Sequence, residues 1–220
     1  MALALPFSAA TALAADGQPS SKVTAKTSSL TLIPPTTGTS GWVDVLKNTI
    51  KTANQKDLFV GASFEIGLYT RTLVRSKNMV SDTSTARTMV QVRVLVDGTV
   101  AEPGAVVFGR RTQTLSATLE GQIAGALSVD PTTGSIVLNP LLVNPETIEL
   151  ILATMDAASF NFVAVNVPQG SHKITVQARI NTGTSVQEGE AEAQALVGKG
   201  SMTVESVRLI KDANVILEVE

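Results

Sequence analysis

The sequence predicts an all-β protein, a two-sheet β-sandwich or a barrel, with one short helix near residues 145–157. Apolar and polar residues alternate in run after run, which is the period of a half-buried strand. Turn signals such as Asp97-Gly98 and Pro168-Gln169-Gly170 separate those runs. Hydrophobic residues make up 44% of the 220 and aromatic ones only 4%, so Val, Ile, Leu and Ala must fill the core.

Residues 1–16 are apolar and small up to Ala15, and the "ALA" and "LAA" before Asp16 resemble the end of a secretory signal. The positive charge that usually follows the first residue of such a signal is missing. The run is too short to predict a transmembrane helix. Residues 17–41 form a Ser/Thr/Pro-rich leader with a possible strand around Val23 to Ile33, stopped by Pro34-Pro35. An isolated strand gains nothing in water, so this one is expected to add to a sheet edge of its own chain or of a neighbour. A single β-sandwich domain is expected over 42–220.

Within that domain, "WVDVLKNTIKT" carries both strand and helical spacing, and its β-branched second half favours strand. Leu58, Val60, Ala62, Phe64, Ile66 and Leu68 then share one face of a clear strand. Residues 75–88 read as a polar loop, and Met89 to Val96 as a strand with Val90, Val92, Val94 and Val96 inward. Asp97-Gly98 suits a tight hairpin turn, because both residues tolerate positive φ. "GAVVFGRRTQTLSATLEG" supplies the next strand or two, with Arg110-Arg111 reaching to water. A small hairpin follows around Asp130-Pro131 and Gly134. The helix rests on Asn144 as cap, Pro145 at the first position, and Ile148, Ile151, Leu152 and Met155 at helical spacing. "SFNFVAVNV", apolar on both parities, reads as a central strand. Ile174, Val176, Ala178 and Ile180 face inward on the next, "NTGTSVQEG" loops, and Ala191, Ala193, Ala195 and Val197 share a face. "SMTVESVRLI" and "NVILEVE" read as two closing strands.

Segments carrying Arg93, Leu95, Val96, Asp97 and Gly98, then Gly170, His172, Ile174, Val176, Gln177 and Arg179, resemble modules that recur in secreted bacterial and phage tail proteins. These are jelly-roll domains similar in outline to tumour-necrosis-factor-like and complement globular-head folds. The resemblance implies packing and assembly rather than a reaction, and it supplies no catalytic residues.

The chemistry the sequence offers is sparse. There is no cysteine, so thiolate sites and disulfides are excluded. His172 is the only histidine, and Ser171 beside it points to the opposite face of a strand, which separates the two side chains. Glu188, Glu190 and Glu192 share a parity and read as a solvated stripe rather than a calcium site. Trp42, the only tryptophan, reads as a core plug at the domain entry. No phosphate-binding glycine motif occurs. No catalytic, cofactor-binding or metal residues are therefore assigned. A net charge of −2 predicts no basic footprint, hence no nucleic acid, and no membrane partner is expected for the mature form. The expectation is a secreted or cell-surface, non-catalytic structural protein that self-associates as a homo-oligomer or filament. The alternative is a secreted sandwich that binds carbohydrate or another ligand.

Overall fold

The computed structural model describes residues 22–30, 33, 37–76, 79–122 and 126–209. In chain order the strands are β1 (Lys22–Ser28), β2 (Gly38–Thr39), β3 (Val43–Thr52), β4 (Lys56–Ser76), β5 (Val80–Val96), β6 (Thr99–Val100), β7 (Val106–Leu119), β8 (Leu127–Val129), β9 (Ile136–Leu138), β10 (Glu146–Val167), β11 (Gly170–Val186) and β12 (Glu190–Val207). A single 3-10 turn, Pro140–Leu142, is the only helical element among the described residues.

The long strands form two antiparallel sheets. Sheet I runs β1-β12-β4-β10, and sheet II runs β3-β11-β5-β7. β2 prolongs the β3 edge along β11, and β6 prolongs the β7 edge along β5. Apart from the hairpin joining β5 to β7, every connection between long strands crosses from one sheet to the other. This order is that of a jelly roll. The strand expected near Val23 is β1, and it pairs along its whole length with β12 of its own chain.

The core lies between the sheets and is built from the alternating positions read in the sequence. Leu58, Val60 and Ala62 of β4, Val90, Val92 and Val94 of β5, and Ile174, Val176 and Ala178 of β11 are all 0% exposed. Phe64 adds the largest ring, and a bulge between Val197 and Gly200 in β12 makes room for it. A Cβ at Gly200 would come within 2.1 Å of Phe64 Cδ1, so this close approach requires glycine.

The interior changes character along the strands. Beyond Leu68 most inward positions become polar, with Thr70, Thr72, Ser76, Asp82, Ser84 and Thr88 buried beside Val74 and Ala86. Their polar groups are satisfied across the sandwich. Gln113 of β7 accepts from Thr70 Oγ1 and donates to Thr72 Oγ1 and the Leu150 carbonyl, each at 2.7 Å. Ser84 donates to the Leu73 carbonyl at 2.6 Å. One half is held by apolar packing and the other by sheet-to-sheet hydrogen bonds.

Several expectations are corrected. Residues 75–88 are no loop, because β4 runs to Ser76 and β5 starts at Val80. "NTGTSVQEG" is mostly the end of β11, which reaches Val186. "SMTVESV" continues β12 past its bulge instead of starting a strand, and "NVILEVE" lies outside the described residues. The predicted helix is strand: β10 spans 22 residues and pairs with β4 from Glu146 onward. Apolar residues at 148, 150, 151 and 152 satisfy either period, and the long side of β4 decides in favour of strand. A different Asn-Pro pair does cap, since Asn139 Oδ1 accepts from the Leu141 amide of the 3-10 turn, while Asn144 bridges to Gln122. "SFNFVAVNV" is the end of the same β10, an edge strand rather than a central one.

Candidate functional site

β10 is the outermost strand of sheet I, and its far side is the first candidate site. Val163 exchanges two hydrogen bonds with Glu102, each 2.9 Å, on the side away from β4. Counting back in twos along an antiparallel strand, the N–H and C=O groups of Ile151, Ala153, Met155 and Ala157 face the same way. Among the described residues, no strand pairs with that side over 146–161. Apolar side chains stand on both faces there, among Thr147, Glu149, Thr154 and Asp156. Ile148, Leu150 and Leu152 point inward but stay partly exposed, and Ile151 and Met155 point outward, 51% and 59% exposed.

The other edges carry cations that discourage pairing: Lys22 and Lys26 on β1, Lys47 and Lys51 on β3, Arg110 and Arg111 on β7. β10 has no Lys, Arg or Pro anywhere in its length. Next to it in sequence, the β8–β9 hairpin turns as expected, with Asp130 Oδ1 accepting from the Thr132 amide at 2.8 Å. Its Val129, Ile136 and Leu138 are exposed, as is Leu141 of the 3-10 turn at 86%.

The second candidate site is the outer face of sheet II. Trp42 is no core plug: it is half-buried on this face, with the Arg93 and Arg179 guanidinium carbons 4.2 and 4.5 Å from its ring centroid. Arg93 Nε donates to Gln177 Oε1 and Arg179 Nε to Gln91 Oε1, both at 2.9 Å. Gln177 donates to Asp44 at 2.7 Å, and Asp44 pairs with Lys47 at 2.8 Å. The Lys47 and Gln177 contacts, in that order, hold the Asp44 carboxyl below its usual value.

The near-neutral net charge concealed this basic face. The balancing acids sit elsewhere, as on sheet I, where Glu190 accepts from Arg71 at 3.1 Å and Arg75 at 2.6 Å. Arg111, expected to reach water, instead donates to the carbonyls of Leu68 and Leu152, each at 3.0 Å, and so ties the sheets together.

His172 anchors a third cluster. It is buried while Ser171 is exposed, so the two side chains diverge as expected. His172 Nδ1 lies 2.7 Å from Asp97 Oδ2, and Nε2 lies 2.9 Å from the Pro168 carbonyl and 3.1 Å from Thr52 Oγ1. Thr52 is 1% exposed, and its hydroxyl donates to the Pro168 carbonyl at 2.6 Å while accepting from the Gly170 amide at 3.1 Å. The carboxylate–imidazole–hydroxyl order is that of a triad, but this hydroxyl is buried and committed to a carbonyl, which makes the cluster a clasp between two turns. Antiparallel pairing of the Asp-Gly turn with the "GSHK" strand entrance was the signal that could have found it.

Asp97 is a pH-dependent part of that clasp. The His172 hydrogen bond, opposed by burial and aided by the Lys173 amide, holds its carboxyl below the usual carboxylate value. A folded-state value below the unfolded one stabilises the protein above the unfolded pKa, and this contribution is lost as acid protonates the carboxylate below about pH 4. Asp97→Asn keeps a residue that tolerates the φ of 50°. The variant should melt lower than wild type at neutral pH, and the difference should shrink below about pH 4. A gap in melting temperature that stays constant on acidification would show that the carboxylate is not what matters.

No protein-family model and no curated protein matches the chain. Among solved structures, a chain of the IBDV viral particle is similar over 91% of this chain at 11% identity, with a TM-score of 0.22. Chains from the Gx and Gt strains of infectious bursal disease virus align over 91% and 89% of this chain at 8% and 9% identity, with TM-scores of 0.19 and 0.18. This chain spans 42% to 44% of the length of those viral chains. Likenesses this distant carry no weight for function.

Proposed function

We propose that this chain is a non-catalytic structural subunit working outside the cell, in a surface layer, an appendage or a virion-type shell, and that it associates with further copies through β10. One observation carries the reading: β10 is long, open on one side among the described residues, exposes Ile151, Leu152 and Met155, and carries acidic residues but none of the Lys or Arg found on the other edges. A strand from another copy added there would satisfy the outward amide and carbonyl groups and cover Ile151 and Met155. Covering half-exposed side chains of this size contributes about 1 kcal/mol each. Pairing edge to edge between like strands gives closed dimers, and pairing β10 with a different element gives open filaments.

The test is Ala153→Pro. The Ala153 N–H faces away from β4, so proline removes a donor from the open edge and none from the β4 ladder. On size-exclusion chromatography with light scattering, wild type should run as an assembly and Ala153→Pro as folded single subunits melting within a few degrees of wild type. A wild-type protein that stays monomeric at high concentration sinks the reading, as does a proline variant that assembles unchanged.

A further inference from the structure

The outer face of sheet II carries an unneutralised stripe of positive charge. Outward positions hold Lys47 and Lys51 on β3, Lys173 and Arg179 on β11, Arg87 and Arg93 on β5, and Arg110 on β7. Asp44 is the only carboxylate at an outward strand position of this face among the described residues, and Lys47 already pairs with it. Successive outward positions on one strand lie about 7 Å apart and neighbouring strands about 4.8 Å apart, so the stripe extends along most of β11. Amide and hydroxyl groups lie between the cations. Gln91 and Gln177 position Arg179 and Arg93 through their Nε atoms. Further along, Arg87, Arg110, Thr112 and Asn181 rim a hollow of about 410 Å³.

We propose that this face binds a linear anionic polysaccharide, one carrying carboxylate or sulfate groups along its chain. The inference gives chemical content to the ligand-binding alternative and does not depend on association through β10. A polymer charged at every sugar or two meets cations recurring along one line, while its hydroxyls meet the intervening amides and threonines. Other polyanions fit less well. Single-stranded nucleic acid is held by stacking bases on open aromatic rings. The Trp42 ring already carries the Arg93 and Arg179 guanidinium groups. Duplex DNA admits a two-stranded ribbon in a major groove about 12 Å wide. This face, at about 14 Å between its outer strand axes, is too broad to enter. The outer face of sheet I carries Glu65, Glu192 and Glu205 besides Glu149 and Glu190, which pair with Arg71 and Arg75, so a contact between copies is an outcome that the test separates.

The full-length protein is titrated with polygalacturonate, dextran sulfate, neutral dextran and single-stranded DNA of matched length, in rising sodium chloride. Both anionic polysaccharides should bind, neutral dextran should not, and affinity should fall steeply with salt as counterions are released. Arg87→Gln with Arg110→Gln should weaken polygalacturonate binding roughly tenfold. Neither side chain makes an ion pair or side-chain hydrogen bond among the described residues, so this variant should melt as wild type does. Arg93→Gln with Arg179→Gln, which also releases Trp42, provides an independent second variant. Unchanged affinity in both double variants would overturn the proposal, as would equal binding of neutral dextran. Tighter binding of DNA than of polygalacturonate would make the face a nucleic-acid site instead. Loss of self-association in these variants, with no polysaccharide bound by wild type, would make it a subunit contact.

Discussion

Val94→Asp is expected to lower the melting temperature by roughly 6–12 °C or more, or to prevent folding. Val94 is 0% exposed, opposite Val176 on β11 and among other core valines. A carboxylate there would lose its hydration with no cation or donor in reach, costing roughly 3 kcal/mol or more. For a chain of this size each kcal/mol moves the melting point by about 2–4 °C. Arg93→Gln, one residue away on the opposite face, supplies the control. It removes a cation–π contact worth about 0.5–1 kcal/mol and should cost no more than a few degrees. Thermal melts of both variants would expose a wrong face assignment at once, since a register slipped by one residue would reverse the two results.

Asp82→Ala is the second large effect, at the polar end of the sandwich. Asp82 is 2% exposed and projects from β5 toward sheet I. Its Oδ2 accepts from the Arg75 amide at 2.7 Å and its Oδ1 from the Glu188 amide at 3.0 Å. One carboxylate thus fixes the end of β4 and the bend that leads into β12. The bend has no slack, because a Cβ at Gly189 would come within 1.8 Å of the Leu73 carbonyl oxygen. Alanine would leave two amides short of a partner, at about 1–3 kcal/mol for each that stays buried. Asp82→Asn, which keeps one acceptor, should lose about half as much. A chemical denaturation midpoint for Asp82→Ala indistinguishable from wild type would mean that water replaces the carboxylate at no cost.

How far the sequence was legible depends on the kind of interior each strand faces. Leu58 through Leu68, Val90 through Val96 and Ile174 through Ile180 alternate against an apolar core, and their faces are as read. The same strands became illegible where they pass into the polar half. Ser76, Asp82, Ser84 and Thr88 point inward, so inward and outward positions look alike and residues 75–88 read as loop. β10 failed for a different reason. Ile148, Ile151, Leu152 and Met155 do have helical spacing, and the vacant side of β4 that captures them is a tertiary fact. The basic face was hidden because a sum of charges carries no position. Only the register brings Arg93, Arg179 and Trp42 onto one surface. The Asp97–His172 contact was closer to hand, since each residue stands beside a turn legible in the sequence and only the register brings the two turns together.

The pairing of β1 with β12 favours one order of events as the chain folds. Strand partners nest like brackets, with β5 and β7 innermost, then β4 with β10, β3 with β11, and β1 with β12 outermost. Closing a loop costs less when the pairs inside it are already joined, so the middle of the chain is the natural place to begin. A chain released from its N-terminus therefore delivers its innermost hairpin well before β12. β1 is made well before its partner β12, so it must wait unpaired until β12 arrives.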